Sequence, residues 1–260
     1  MVIITITATT TRAIVMADGV DGDDRCWAAP QSLTQAAGDN GSSALPLMIW
    51  LSPAFPIGSF AYSHALEWAV ETGQIHDLAS ARDWIAGLIR YGGLRNDAIL
   101  LAASWRAVRA GDHGGFADCG ELALALAGSR ERYLETSAQG NAFLVAIAAA
   151  WACDTDKIID GDIAYPVAVG FVTARHGIGL VAVVEATLTS MLGNLASALV
   201  RLSALGQSDG QRLIAALLPA VLELAAFAAT ATLDDIGGAA FQSDIASLRH
   251  ETQYTRLFRT

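Results

Sequence analysis

The chain has 260 residues, of which 53% are hydrophobic and 16% are charged, and 26 acidic against 16 basic side chains give it a formal net charge of −10. A chain this long and this apolar can bury a core, which excludes it from the disordered class. Because Lys157 is its one lysine and acids outnumber its arginines, the composition also argues against nucleic acid as a partner.

Residues 1–44 differ from the rest of the chain. They are rich in Thr, Asp, Gly, Ser and Gln, and they contain the runs DGVDGDD and GDNGSS. Segments of this composition have too few apolar side chains to form a core. The sequence therefore predicts a disordered extension over 1–44, followed by a folded domain over 45–248.

The cysteines and the first residues indicate the compartment. Cys26, Cys119 and Cys153 lie far apart and form no C-x-x-C pair, which fits neither a disulfide framework nor a cysteine zinc site. The first ten residues carry no basic region and no clear cleavage site follows them, so they do not predict a signal peptide. We therefore expect a cytoplasmic protein.

From residue 45 onward, apolar residues recur with a helical period and glycines separate the segments. One helix is predicted around Trp84, with Asp77 or Ser80 as its N-cap and a pair of glycines after Tyr91 to end it. Further helices are predicted to begin at Tyr165 and to cover about 94–110, 116–127, 130–152, 178–205 and 211–232. The fold class is therefore all-α, a single domain of about eight to ten packed helices.

The apolar composition of two segments indicates where each of them lies in the fold. The second half of the 130–152 helix, NAFLVAIAAAWAC, is apolar all round, which predicts a central position. The longest apolar stretch, Leu213 to Leu233, has about the length that spans a membrane. It contains Pro219 and Glu223, and because a glutamate inside a membrane is costly, we interpret the stretch as a bundle helix and expect no membrane partner.

One catalytic pattern matches by letter. Residues 206–210, GQSDG, satisfy G-x-S-x-G, in which a strand must precede the serine so that a strained turn exposes its hydroxyl. The preceding LASALVRLSAL has a helical pattern, so we interpret GQSDG as a turn between helices and keep a serine hydrolase that uses Ser208 as the alternative. No histidine has Glu or His three or four residues before it, and no P-loop occurs. A binding or scaffolding role is favoured.

Two segments carry polar and aromatic side chains beyond what a core requires. In SPAFPIGSFAYSHALEWAVETGQI, residues 52–75, two prolines and a glycine predict a rigid entry to a helix that Ser59 caps. Ser63 and Glu67 are spaced to pair on that helix, which has either a polar outer face or an exposed contact face for a partner. The tail, residues 249–260, combines arginines with aromatic residues, which predicts docking against a partner or the parent domain.

Several blocks together resemble the UreF family of urease accessory proteins. They are LSPAFPIGSFAYSHALEWAVETG, ERYLETSAQG at 131–140, YPVAVG at 165–170 with HGI after it, LGQSDGQRL at 205–213, and SLRHETQYTRLFR at the end. The blocks follow the family's order and spacing over about 45–260. The chain departs from the family at His64, where glutamine is more common, and at Ala65, where glycine is usual.

The resemblance implies an all-α protein that is not an enzyme and forms a homodimer. It implies that the chain binds the accessory protein UreD, called UreH in some organisms, and that the pair recruits the GTPase UreG. In the family this assembly acts on apo-urease to install nickel and a carbamylated lysine. We therefore expect no stably bound cofactor and no metal ligands in this chain, with nickel handled by the complex.

The resemblance also implies which residues meet partners, because the family's tail is associated with ordering on partner binding and with GTPase recruitment. Carried onto this chain, the partner-binding residues are Tyr62, Ser63, His64, Glu67, Gln207, Gln211, Arg249, His250, Glu251, Tyr254, Arg256, Leu257 and Arg259. We expect Arg249 and Arg256 to hold the tail in a docked geometry without entering the GTP site. An arginine that the tail inserts into that site in trans is the alternative.

Overall fold

Helices account for all the regular structure in the part of the chain that the structure describes, which is residues 44–151, 153 and 161–260 of a computed structural model. The predicted all-α fold is confirmed. The predicted extension over 1–44, apart from Ala44, lies outside the described residues. In chain order the elements are α1 (Leu45–Trp50), a 3-10 turn (Ser59–Ala61), α2 (Leu66–Glu71), α3 (Leu78–Tyr91), α4 (Gly93–Ala110), α5 (His113–Ala125), α6 (Arg130–Ala150), α7 (Tyr165–Arg175), α8 (Leu180–Arg201), α9 (Gln207–Ala228), a second 3-10 turn (Leu233–Asp235) and α10 (Phe241–His250).

The helices pack around one core, with α7 at its centre. Every residue of α7 is buried, and the helix packs against both α4 and α6. The successive helices α8 and α9 pack against each other, and α9 also lies against α3 and α4. The predicted central position of α6 is wrong, because Val145 is 71% exposed and the alanines at its end are exposed. Alanine gains little from burial, so an alanine-rich face is tolerated at the surface.

Local signals place several helix ends where the sequence predicts them. Asp77 and Ser80 form a capping box at the start of α3, in which the Ser80 amide donates to Asp77 Oδ1 at 2.8 Å. Gly111 ends α4 in the left-handed conformation, with a φ of 69°. Pro166 lies in the first turn of α7, where its missing N–H has no intrahelical role.

The helix predicted after Ser59 forms over Leu66–Glu71, but its predicted start is wrong. His64 and Ala65 have φ values of 53° and 61°, in the left-handed region, so α2 starts only after them. The Ser63 amide donates a hydrogen bond to the tail and not to its own helix. A tertiary contact therefore overrides the local helical pattern at this point.

Two helices, α8 and α9, are long and apolar enough to cross a membrane by length and composition. Within the protein, 39% and 33% of their most apolar windows are buried. Leu213, Leu217 and Leu224 place one face of α9 in the core, which agrees with our interpretation of this stretch as a bundle helix. Core helices of water-soluble proteins have the same length and composition, so the two helices are weak evidence for a membrane span.

The close approach of α4 and α7 depends on a residue without a side chain. A Cβ atom added at Gly170 would lie 2.5 Å from the carbonyl oxygen of Leu101 and 3.0 Å from the side chain of Ser104. The Ser104 hydroxyl donates to the carbonyl of Val167 at 3.0 Å across the same contact. Gly170 therefore sets the distance between two central helices.

Replacing Gly170 with alanine is expected to lower the free energy of unfolding by about 1–3 kcal/mol, because the added methyl group forces α4 and α7 apart. The matched control is Gly193→Ala in α8, where nothing lies within 4 Å of an added Cβ atom. That change is expected to raise the free energy of unfolding by about 0.5–1 kcal/mol, the helix-propensity difference. Urea denaturation of both variants measures the contrast, and a shift of the same sign in both would contradict the close packing.

Candidate functional site

The tail leaves α10 at His250 and continues across the domain as an irregular segment that contacts α2 and α6. Its residues divide by exposure. Gln253, Phe258 and Thr260 are buried, whereas Tyr254 and Leu257 are exposed. Of the two predicted modes of docking, the structure shows the tail against its own domain.

A single carboxylate holds the main chain of the tail. Glu67, in the first turn of α2, accepts the Leu257 amide on Oε1 at 2.6 Å and the Phe258 amide on Oε2 at 2.9 Å. The second oxygen also lies 3.3 Å from Nε2 of His250. Hydrogen bonds to an ionised acceptor are stronger than those to a neutral one, so Glu67 is a strong anchor for this irregular segment.

A second carboxylate connects the tail to the start of α6. Glu131 Oε2 lies 2.7 Å from Nδ1 of His250, and Glu131 Oε1 accepts a hydrogen bond from Arg256 Nη1 at 2.6 Å. His250 is fully buried and its two ring nitrogens face the carboxylates of Glu67 and Glu131. His250 therefore connects the carboxylates of α2 and α6 beneath the tail.

The last residues of the tail are held by α6 and by the segment of residues 52–75, the early block. The carbonyl oxygen of Thr260 accepts the Ser63 amide at 2.8 Å and also accepts from the Ser63 hydroxyl. The Thr260 hydroxyl donates to Glu135 Oε2 at 3.0 Å, and the Arg259 amide donates to the carbonyl of Ala61 at 2.8 Å. Two sequence blocks that are almost 200 residues apart therefore form one structural unit.

Below this contact lies a buried network of charges. Glu135 is 1% exposed, and its oxygens lie 2.8 Å from His64 Nε2 and 3.2 Å from Arg132 Nη1. Arg132 also contacts Asp97 of α4 at 3.4 Å and His64 Nδ1 at 3.0 Å. His64, Asp97 and Arg132 line a cavity of about 240 Å³ between α4, α6 and α10.

Burial and ion pairing act in opposite directions on these groups. Burial opposes ionisation of Glu135, but its interactions with His64 and Arg132 prevail and lower its pKa to about 2. At Asp97 burial is the larger effect, and it raises the pKa in spite of the nearby Arg132. Glu135 is therefore the firmly ionised acceptor of this network.

The start of α6 is capped by α10 and the tail. Ser129, the N-cap of α6, shares a hydrogen bond of 2.6 Å with Ser247 of α10. The Arg130 amide donates to Glu251 Oε1 at 2.8 Å, so a side chain of the tail satisfies a free amide of the helix. These contacts orient α10 and fix the position of the tail where it leaves that helix.

Comparison with known proteins identifies the family. The family model for UreF matches residues 75–218, which is more than half of the chain. The chain is 51% identical over 226 residues to the urease accessory protein UreF of Rhodopseudomonas palustris strain HaA2, covering 85% of this chain and 95% of the relative. It is 47% identical over 232 residues to the urease accessory protein UreF of Azorhizobium caulinodans, covering 88% of this chain and all of the relative. The chain belongs to the UreF family of urease accessory proteins.

For a member of the UreF family, the predicted partner-binding residues divide into two groups. Tyr62, Ser63, Glu67 and His250 are buried, so of the two interpretations of the early block, an exposed contact face does not fit its side chains Tyr62, Ser63 and Glu67. Ser63 and Glu67 hold the tail by hydrogen bonds, whereas His250 belongs to the tail itself. Exposed members of the predicted set are Gln207, Gln211, Arg249, Tyr254, Arg256, Leu257 and Arg259, with His64 and Glu251 partly exposed. A role of any of them in partner binding stays a prediction.

The structure does not bring all the predicted residues together. Gln207 and Gln211 lie in the first turns of α9, and no hydrogen bond joins them to the tail among the described residues. Arg249 is exposed on α10, and within the described part of the chain no ion pair ties its side chain to the domain. Arg256 pairs with Glu131 as expected for a residue that holds the tail, whereas such a role for Arg249 stays a prediction.

The serine-hydrolase alternative is not supported. GQSDG is not a turn between helices, since Gly206 is the N-cap of α9 and the following four residues form its first turn. The element before Ser208 is the helix α8, so the strand that a nucleophile elbow requires is missing in this part of the described structure. Small polar residues favour both turns and helix starts, which explains why the letters alone misplaced the boundary.

Sequence reasoning missed the acceptors that hold the tail. Glu131 and Glu135 belong to the block ERYLETSAQG, which carried the family resemblance but was assigned no role. Their spacing of four residues on one helix was the available signal.

Within the described residues, no set of three His, Cys, Asp or Glu side chains is arranged to hold a metal ion.

The lowered pKa of Glu135 predicts how stability depends on pH. Below pH 4.5 the unfolded chain protonates this carboxyl, whereas the folded chain keeps it ionised down to about pH 2. The stabilisation is complete above pH 4.5 and is lost as the pH falls towards 2, on the order of 3 kcal/mol in all. Denaturant titrations across this range are expected to show a shallower pH dependence in Glu135→Gln than in the wild type. Exposed Glu223→Gln is the control, and identical slopes in all three proteins would contradict the assignment.

Proposed function

We propose that this protein is a scaffold of urease maturation that bridges UreD (UreH) and the GTPase UreG on apo-urease and modulates GTP-dependent nickel delivery. Membership of the UreF family supports the accessory role. The proposal includes a homodimeric, cytoplasmic protein that has no enzymatic activity of its own. Nickel is the cargo of the assembly and not a resident cofactor of this chain.

The docked tail is the observation that carries the proposal. Buried carboxylates fix its main chain, and this leaves Tyr254, Leu257 and Arg259 directed away from the core as exposed side chains. A partner that binds such a segment does not have to order it first, which lowers the entropic cost of association. Tyrosine and arginine side chains are also among the residues that contribute most to the binding energy of protein interfaces.

The outer face of α10 extends the exposed surface of the tail. Phe241, Ile245 and Leu248 recur at intervals of four and three residues and are more than half exposed. An apolar stripe of this spacing suits the groove of a partner protein. We assign this stripe and the exposed tail residues to the binding of UreD and UreG.

Scaffolding is the mode of action that fits the sequence. The chain has no P-loop, so it can influence GTP hydrolysis only by presenting surface to the GTPase. Arg256 is engaged with Glu131, which supports a role in holding the tail. Arg249 is exposed, so of the two it is the arginine available to reach a partner.

Co-purification with UreD and UreG from the same source tests the proposal, with light scattering to measure the mass of the complex. The full chain is expected to form the assembly, and a chain truncated before Arg249 is expected to lose the GTPase. Failure of the full chain to bind either partner would overturn the proposed function.

Single substitutions separate docking of the tail from folding of the domain. Arg256→Ala removes the ion pair with Glu131 and is expected to weaken GTPase recruitment by roughly tenfold or more, because one oxygen of the buried Glu131 carboxylate then loses its partner. Arg82→Ala, whose ion pair with Asp83 is exposed, is the matched control and is expected to have no effect. Undiminished recruitment by Arg256→Ala would contradict the role of the docked tail.

A further inference from the structure

Arg201, the last residue of α8, contacts two aromatic rings from distant parts of the chain. Its guanidinium carbon lies 3.6 Å from the ring centre of Phe60 and 4.3 Å from that of Phe258. Its Nη1 donates to the main-chain carbonyl of Phe60 at 2.7 Å. Phe258 is the buried aromatic residue of the tail, and Phe60 belongs to the first 3-10 turn. One side chain therefore joins α8, the early block and the tail.

The geometry distinguishes this arginine from an ordinary residue at a helix end. A basic side chain in a last turn commonly interacts with the free carbonyl groups of its own helix. Arg201 instead donates to Phe60, and its Nε is buried without a hydrogen-bond partner among the described residues. Burial lowers the pKa of Arg201, so the charge is held here against a desolvation penalty. Cation–π contact with aromatic faces stabilises a desolvated guanidinium, and both rings lie within the range of that contact.

The contact bears on the exposed part of the tail through Phe258. The ring of Phe258 rests on Arg201, while its amide donates to Glu67. Its two neighbours, Leu257 and Arg259, are exposed, so the position of Phe258 decides where their side chains emerge. Phe60 is itself 64% exposed and lies at the surface beside them.

We propose that Arg201 is a positioning residue for the tail. It holds Phe258 from the side of α8, while the buried carboxylates hold the main chain from the side of α2 and α6. A planar guanidinium is required, because an ammonium group cannot stack on aromatic faces in the same way. The consequence for partner binding rests on the proposed function, in which the exposed tail residues meet UreD and UreG.

Hydrogen exchange of the full chain measures the positioning directly. Arg201→Met keeps an unbranched side chain but removes the planar cation, and it is expected to speed exchange of the Leu257 and Phe258 amides roughly tenfold. Arg201→Lys keeps the charge without the plane and is expected to restore only part of the protection. Arg212→Met is the matched control, since Arg212 is exposed on α9 and pairs with Asp209 at 2.7 Å.

Amides of α7 report whether the core is intact in each variant. Unchanged exchange of the tail in Arg201→Met would overturn the inference. If the α7 amides also exchange faster in that variant, Arg201→Lys decides, because it keeps the charge and an unbranched aliphatic stem. Tail protection in Arg201→Lys equal to that of the wild type would then overturn the inference.

GTPase recruitment by the same variants separates the inference from the proposed function. Faster exchange of the tail together with weaker recruitment supports both. Faster exchange with full recruitment supports the positioning role of Arg201 and contradicts the role of the tail in the proposed function.

Discussion

The position of the tail depends on carboxylates that are buried beneath it. Glu67 accepts two main-chain amides of the tail, and Glu131 binds both His250 and Arg256. A buried carboxylate is costly unless its oxygens are paired, so removal of the tail would leave these acids without their partners. The tail in turn forms no helix or strand after His250 to satisfy its own amides. Each part of the contact therefore requires the other.

Under the proposed function, this mutual dependence determines which surface the tail presents to a partner. Ordering an irregular segment costs conformational entropy, and the contacts of the tail with its own domain offset part of that cost. The buried residues of the tail fix its course, while the exposed residues between them stay available for contact. A substitution among the buried residues that hold the tail would therefore alter the exposed surface without replacing any exposed residue.

The sequence predicts the parts of the fold that depend on local chemistry. Asp77, Gly111 and Pro166 mark helix ends because caps, left-handed turns and first-turn prolines need only neighbouring residues. The prediction fails where distant residues decide. Ser63 and Glu67 fit a helical pairing in the sequence, yet their hydrogen-bond partners in the tail lie about 190 positions away.

The same limit explains the residues that sequence reasoning overlooked. In the sequence, Glu131, Glu135 and Arg201 are indistinguishable from charges on the outer face of a helix. Only the folded chain shows that the two glutamates are buried and that the arginine stacks on aromatic rings. The family resemblance indicated that the tail matters, but not which side chains hold it in place.

A double-mutant cycle on GTPase affinity tests the central claim most directly. Glu67→Gln weakens the contact of the tail with α2, and Arg256→Ala removes its contact with Glu131 of α6. Both should therefore weaken UreG binding to the complex with UreD through one shared step, release of the tail. The account predicts non-additive losses, with the double variant little weaker than the more affected single variant. If the losses of affinity simply add, the two residues act independently. That result would contradict release of the docked tail as the step that both substitutions share.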